Sequence, residues 1–238
     1  LLLKFAPKPG IPRSEFHHSS SPIANAARKL DRVDWKKFKF IDLFAGIGGI
    51  RLGFEQAGGS CVFTSEWDER AQETYLANFG ERPFGDITKV KPSDIPNHDV
   101  LLAGFPCQPF SIIGERKGFS DTRGTLFFNI EEILAEKRPS AILLENVRQF
   151  KTHDNGRTFE TVIQRLGALG YNTHSVVLNA LHYGVPQLRQ RTFIAGFLAN
   201  IPFTFPPPNK TIPKLETILQ PDDDIEDFLW ASKSIQIK

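Results

Sequence analysis

The sequence predicts an α/β domain built on an open sheet, and two observations carry that prediction. A strand pattern, Phe38-Lys-Phe-Ile-Asp-Leu43, runs straight into the glycine-rich turn Phe44-Ala-Gly46-Ile-Gly48-Gly49 and then into a helical pattern through Ile50, Leu52, Phe54 and Ala57. Short continuous apolar runs, Asp99–Ala103 and Ala141–Leu144, then alternate with amphipathic helices, as strands buried on both faces do.

The whole chain sets bounds on what it can be. Its 238 residues can bury one sizeable core, and 40% hydrophobic with 24% charged residues is ordinary for a globular domain. No apolar run approaches the length of a membrane-spanning helix, and Leu1-Leu2-Leu3 is too short for the core of a signal peptide. Two cysteines, Cys61 and Cys107, cannot form a disulfide framework or a multi-cysteine zinc site, which points to a reducing compartment and no metal. The net charge is +2, but residues 1–40 carry nine Lys/Arg against three Asp/Glu, a basic segment compatible with a polyanionic partner.

Residues 1–37 read as a basic arm followed by a flanking helix. Ser21-Pro22 opens that helix, and Ile23, Ala26, Ala27, Leu30 and Val33 form its apolar face. Residues 38–199 form the principal domain. After its first strand and glycine turn, a second strand, Cys61–Ser65, ends at Glu66, twenty residues beyond Gly46. A carboxylate there can accept hydrogen bonds from both hydroxyls of a ribose. Trp67 beside it offers a face on which a base can stack. A helix follows from Asp68 to about Phe79. Asp86, in Gly85-Asp86-Ile87, either accepts from an exocyclic amine or caps a turn.

The strand Asp99–Ala103 ends in Gly104-Phe-Pro106-Cys107-Gln108-Pro109-Phe-Ser111. Open α/β sheets place their chemistry at the C-terminal edge of the strands. A cysteine between two prolines at that edge is a nucleophile rather than a core residue. The glycine-bounded segment 112–124 reads as a lid. Thr125–Lys137 is amphipathic. One strand along, Ala141–Leu144 ends in Glu145, a second acid at the same edge. A helix over Thr158–Leu169 precedes two strands, Asn172–Leu178 and Arg191–Phe197. Between them, Gln187, Arg189 and Arg191 share one face at strand spacing, an arrangement suited to phosphate or carbonyl oxygens. Residues 200–238, with five prolines between Pro202 and Pro213, read as a linker.

Assembled in this order and at these spacings, the motifs from Asp42-Leu-Phe-Ala-Gly46 to Gln187-x-Arg-x-Arg191 resemble the DNA (cytosine-5) methyltransferases, especially those of bacterial restriction–modification systems. The resemblance implies a Rossmann-like fold, a mixed sheet with helices on both faces, and S-adenosylmethionine as cofactor. It implies methylation of carbon 5 of a flipped-out cytosine in duplex DNA through a covalent Cys107 adduct, assisted by Glu145, Arg189 and Arg191. Phe44, Ala45, Gly46, Gly48, Gly49, Glu66, Trp67, Asp86, Ile87, Pro106 and Leu126 would line the cofactor pocket. Gln108, Ser111, Arg116 and Lys117 would meet DNA.

The family continues into a target-recognition domain and a final helix, and neither is recognisable in this sequence. The expectation is therefore a complementing subunit or a missing C-terminal region, with little sequence-specific activity from this chain alone. A bacterial cytoplasmic, nucleoid-associated protein follows from the same resemblance. A tRNA cytosine-5 methyltransferase of the same fold is the close alternative. Phe105 ahead of Pro106-Cys107, and Gly124-Thr-Leu-Phe-Phe128, favour DNA. A non-catalytic paralogue would have no reason to keep Cys107, Glu145 and Arg191 together, and a nicotinamide dehydrogenase would not explain the Pro-Cys motif.

Overall fold

The computed structural model describes residues 37–106, 126–209 and 211–219. The expected arm and helix of 1–37 lie outside these residues except for Lys37, as do Cys107, Gln108, Ser111, Arg116, Lys117 and most of the final segment. Contacts divide the chain into two compact units, residues 1–178 with 190–207, and residues 179–189 with 208–238.

The first unit is organised on a six-stranded sheet: β1 (Lys39–Leu43), β2 (Ser60–Ser65), β3 (Val100–Ala103), β4 (Ala141–Val147), β5 (Asn172–Asn179) and β6 (Gln190–Phe197), in the spatial order β2-β1-β3-β4-β6-β5. Strands β2, β1, β3 and β4 run parallel, and β6 runs antiparallel to β4. The mixed α/β architecture is the expected one. Among the described residues four α-helices accompany the sheet, α1 (Gly49–Gln56), α2 (Glu69–Phe79), α3 (Leu126–Lys137) and α4 (Arg157–Ala168).

Strand alternation assigns side chains to two faces. Ile41, Leu43, Leu101 and Ile142 pack with Phe127, Ile130 and Leu134 of α3 and with Val162 and Leu166 of α4. Phe40, Leu102, Leu143 and Phe197 pack with Phe54 of α1 and with the extended segment Ile201, Phe203 and Phe205. So the first face lies under two twelve-residue helices, and the second under one eight-residue helix and an extended segment.

The topology decides where a site can form. From β1 the chain passes to β2 on one side, then returns to β3 on the other. The strand order therefore reverses at β1, leaving a crevice at the carboxyl ends of β1 and β3. Because β6 is antiparallel, its first residues, rather than its last, reach that same edge. Register fixes the meeting, with Glu145 opposite Phe193 and Val147 opposite Arg191.

Several details depart from the sequence reading. Strand β4 continues to Val147, because its pairing with β6 extends that far. In α1 the buried residues are Arg51 and Phe54, while Leu52 is half exposed. Arg51 is covered because its guanidinium lies 5.3 Å from the Tyr75 ring and 4.3 Å from the Phe79 ring, both on α2. It also bonds Glu55 at 2.7 Å, the Tyr75 hydroxyl at 2.8 Å, and Glu81.

In the second unit, the Asn179 side-chain oxygen accepts from the N–H groups of Leu181 and Arg189, and Ala180 N–H donates to the Arg189 carbonyl at 3.0 Å. This closes the turn over 179–189. Strand β6 begins only at Gln190, so Gln187 and Arg189 belong to the turn and do not share a strand face with Arg191. The backbone N–H of Arg189 instead bonds the carbonyl of Gln187, two residues back.

Candidate active site at the sheet edge

At the end of β1 the backbone takes an unusual course. Phe44 has φ +56°, a left-handed conformation that is strained for a bulky L-residue. Such outliers persist only where surrounding structure enforces them, and they cluster at ligand sites. Here the Ala45 N–H donates to the Ser65 carbonyl at 3.0 Å, and the Gly46 N–H donates to Glu66 Oε2 at 2.8 Å. Gly48, with φ +91°, caps α1 and admits no side chain, since a Cβ there would come within 2.1 Å of the Phe79 ring. A Cβ on Gly46 would meet nothing within 4 Å, so this part of the loop faces open space.

Glu66 is 8% exposed and held from several directions. Its other oxygen, Oε1, accepts the Asp68 N–H at 2.9 Å, its own N–H donates to Phe84, and its carbonyl receives the Gln72 amide. Each carboxylate oxygen thus spends one lone pair on the backbone and keeps another for a ligand. Trp67, adjacent, is 77% exposed. The segment Phe84-Gly85-Asp86 runs beside the end of β2, with Phe84 stacked on Phe63 and bridged to Ser65. Asp86 does cap a turn: its Oδ1 accepts both the N–H and the hydroxyl of Thr88. Ile87 is buried, and Leu126 at the start of α3 packs on the same core.

At the other end of the edge, Arg191 Nε lies 3.0 Å from Glu145 Oε1, diagonally across β4 and β6. Both side chains are about one-fifth exposed, so the pair is sheltered yet open to a ligand. Asn146 fastens this end to the exit of β3: its amide donates to the Phe105 carbonyl at 2.9 Å while its oxygen accepts the Val147 N–H. Phe105, followed by Pro106 and then Cys107 in sequence, is itself buried against Phe127 and edge-on to Phe150.

Gly104 joins the two ends. A Cβ there would lie 3.7 Å from the Phe44 carbonyl oxygen and 3.8 Å from Glu145 Oε2. The strained loop and the Glu145 carboxylate therefore converge on a position with no side chain.

Three groups here escape a reading of the sequence. Asn146 is hidden by its neighbour Glu145, although its place at the strand end is a signal. Gln72 looks like an ordinary surface residue of α2. Asp42 is fully buried on β1, its cross-strand neighbours are Thr64 and Leu102, and neither carboxylate oxygen has a well-aligned hydrogen-bond partner among the described residues. Burial pushes its carboxyl up to about 7, against the opposing pull of the Arg51 charge and N–H, with a smaller upward push from Glu66. Burial likewise pushes the Cys61 thiol up to about 12, which leaves it protonated and unreactive. Among the described residues there is no cluster of His, Cys, Asp or Glu able to hold a metal ion, and no helix long and apolar enough to cross a membrane.

Comparison with known proteins identifies the family. The profile of the C-5 cytosine-specific DNA methylases matches residues 38–236. The chain is 57% identical over 201 residues to the Type II methyltransferase M.NgoBI of Neisseria gonorrhoeae, covering 84% of this chain and 63% of that protein. It is 48% identical over 200 residues to M.HhaI of Haemophilus parahaemolyticus, covering 83% of this chain and 61% of that one. It thus spans under two thirds of the length of these relatives. Among solved structures, a DNMT2 variant of Spodoptera frugiperda superposes with a TM-score of 0.65 at 26% identity, covering 77% of this chain and 60% of the other. The chain belongs to the C-5 cytosine-specific DNA methylases.

Proposed function

We propose that the chain is the catalytic part of an enzyme that methylates carbon 5 of a flipped-out cytosine in duplex DNA, using S-adenosylmethionine, within a restriction–modification system. The observation that carries this reading is the convergence at Gly104, which puts a nucleotide-type loop and the Glu145–Arg191 pair on either side of one position that carries no side chain.

The residues present fit the cofactor. Glu66 has acceptor capacity left for ribose hydroxyls, and Trp67 presents an unburied ring for the adenine. Ile87 adds an apolar floor, Asp86 an acceptor for the exocyclic amine, and Gly46 leaves open space beside the loop. When bound, S-adenosylmethionine supplies an electrophilic methyl group that carbon 5 can accept.

Carbon 5 of cytosine is a poor nucleophile until the ring is activated. In this reading the Cys107 thiolate adds to carbon 6, forming a C–S bond and moving the electron pair of the 5,6 double bond toward carbon 5. Glu145 hydrogen-bonds ring N3 and the exocyclic amine, stabilising the charge that develops on the ring. Arg191 orients Glu145 and holds the O2 oxygen, with Arg189 as a further positioning group. Loss of the carbon 5 proton and expulsion of Cys107 restore the ring. Gln108 meets the DNA, and Ser111, Arg116 and Lys117 serve its phosphates. Selection of a DNA sequence falls to contacts made by the part of the relatives' length that this chain does not span.

The test is tritium transfer from labelled S-adenosylmethionine to duplex DNA and to tRNA. The chain is assayed alone and with the remaining portion of M.NgoBI supplied in trans. Duplex DNA is the expected acceptor, more strongly with the added portion. A 5-fluorocytosine duplex should trap an adduct on Cys107. Transfer to tRNA alone, or an adduct mapped to Cys61, overturns the reading.

A further inference from the structure

We propose that Arg148 grips a backbone phosphate of the DNA strand that delivers the target base, and that Gln190 holds its guanidinium ready for that contact. This rests on the DNA reading above. Arg148 opens the short helical turn Arg148–Lys151 that leaves β4 three residues after Glu145. The turn is fixed in place. Phe150 is 1% exposed, edge-on to both Phe105 and Phe159. The Thr192 hydroxyl donates to the Val147 carbonyl at 3.2 Å, and Asn146 ties the preceding residues to Phe105. From this rigid base the exposed Arg148 side chain reaches across to β6, where Nη1 donates to Gln190 Oε1 at 2.9 Å. The next residue along β6 is Arg191, bonded to Glu145. The Arg148 guanidinium therefore sits on the rim of the base site.

Arg148 shares with Arg82, which bonds the Gln72 amide, a neutral side-chain partner, but Arg148 alone of the two lies beside the Glu145–Arg191 pair. Arg51, Arg157, Arg165 and Arg191 each meet a carboxylate. Arg148 meets a neutral amide, which orients the guanidinium and leaves its charge uncancelled. Among the described residues no other partner takes its remaining four N–H donors, which form a planar fork that matches two phosphate oxygens. A nucleotide whose base seats against the Glu145–Arg191 pair keeps its phosphates at the rim, where such a fork is needed. The contact carries no sequence information, as expected of a group that fixes the register of the duplex.

The experiment measures binding of the full chain to a fluorescent duplex by anisotropy across a salt series, for wild type, Arg148→Gln and Gln190→Glu. Loss of one phosphate contact lowers the slope of log affinity against log salt by about 0.9. That drop is expected for Arg148→Gln. A comparable drop is expected for Gln190→Glu, which keeps the hydrogen bond and cancels the charge. S-adenosylmethionine titration of all three reports that the fold is intact. An unchanged slope in Arg148→Gln overturns the contact while leaving the DNA reading standing. Absence of any salt-dependent duplex binding by wild type overturns both.

Discussion

The two ends of the sheet edge are built by different means. At the β1–β2 end the reactive surface is backbone: a strained turn whose Gly46 N–H is gripped by a carboxylate twenty residues on. At the β4–β6 end it is side chain: a glutamate and an arginine brought together by antiparallel register. The first arrangement suits an extended ligand that must be recognised by shape and hydroxyl groups. The second suits a small ring on which charge develops during reaction. In the proposed reading, binding and chemistry are divided between the two ends, and substitutions should separate them.

The largest effect is expected from Arg191→Ala. It removes the ion pair with Glu145 and the group proposed to hold the base, so methyl transfer should fall by roughly 10²–10³. Cofactor titration should be unchanged. A parallel loss of cofactor affinity would show that the two ends are not independent.

The converse substitution, Glu66→Ala, removes the proposed ribose acceptors and releases the Gly46 N–H. It should weaken S-adenosylmethionine binding by roughly 2–4 kcal/mol, on the scale of charge-assisted hydrogen bonds. Calorimetric titration measures it, and an unchanged dissociation constant would place the ribose elsewhere.

Asp42 gives the β1 end a pH signature. Its carboxyl is raised by burial to about 7, whereas in the unfolded chain it releases its proton near the ordinary value of 3.8. Between those values the folded state holds more protons than the unfolded state, so stability falls as pH rises through that window and levels off above it. Asp42→Asn should remove this contribution, roughly 2 kcal/mol after allowance for relaxation around the buried group. Melting temperature against pH, wild type and variant, is the measurement. An identical slope in both would show that Asp42 does not titrate there.

Gly104→Ala is the mildest and probes the junction. The added methyl group would sit at ordinary contact distance from Phe44 and Glu145, so stability should change by less than about 1 kcal/mol. Filling the position shared by the two ends should nonetheless reduce turnover more than cofactor affinity.

The contrast between the ends also explains what could be read from the sequence. The first end is encoded locally. Strand, glycine turn, strand and Glu66 lie close along the chain, and their spacing survives as a pattern. The second depends on which strand lies beside β4 and in which direction, which no local pattern states. Extending strand spacing backward from Arg191 through Arg189 to Gln187 misplaces two residues, because the Asn179 side chain closes a turn there instead. Helical periodicity places Leu52 with the apolar residues of α1 and passes over Arg51. It cannot see that Tyr75 and Phe79 of a later helix cover the arginine. Asp42 hides in the same way, as one polar letter in an apolar strand whose neighbours become known only through pairing.

The reversal of β6 has a consequence for the polymer. Glu145 and Arg191 are the ends of a long excursion through α4 and β5 that returns to its starting edge. The closure entropy of such a loop grows only logarithmically, and doubling its length costs about 0.6 kcal/mol. The exposed turn at Gly170, between α4 and β5, can therefore take inserted residues without moving either member of the pair. The separation of these two residues along the chain is nearly free to vary, and their separation in space is not.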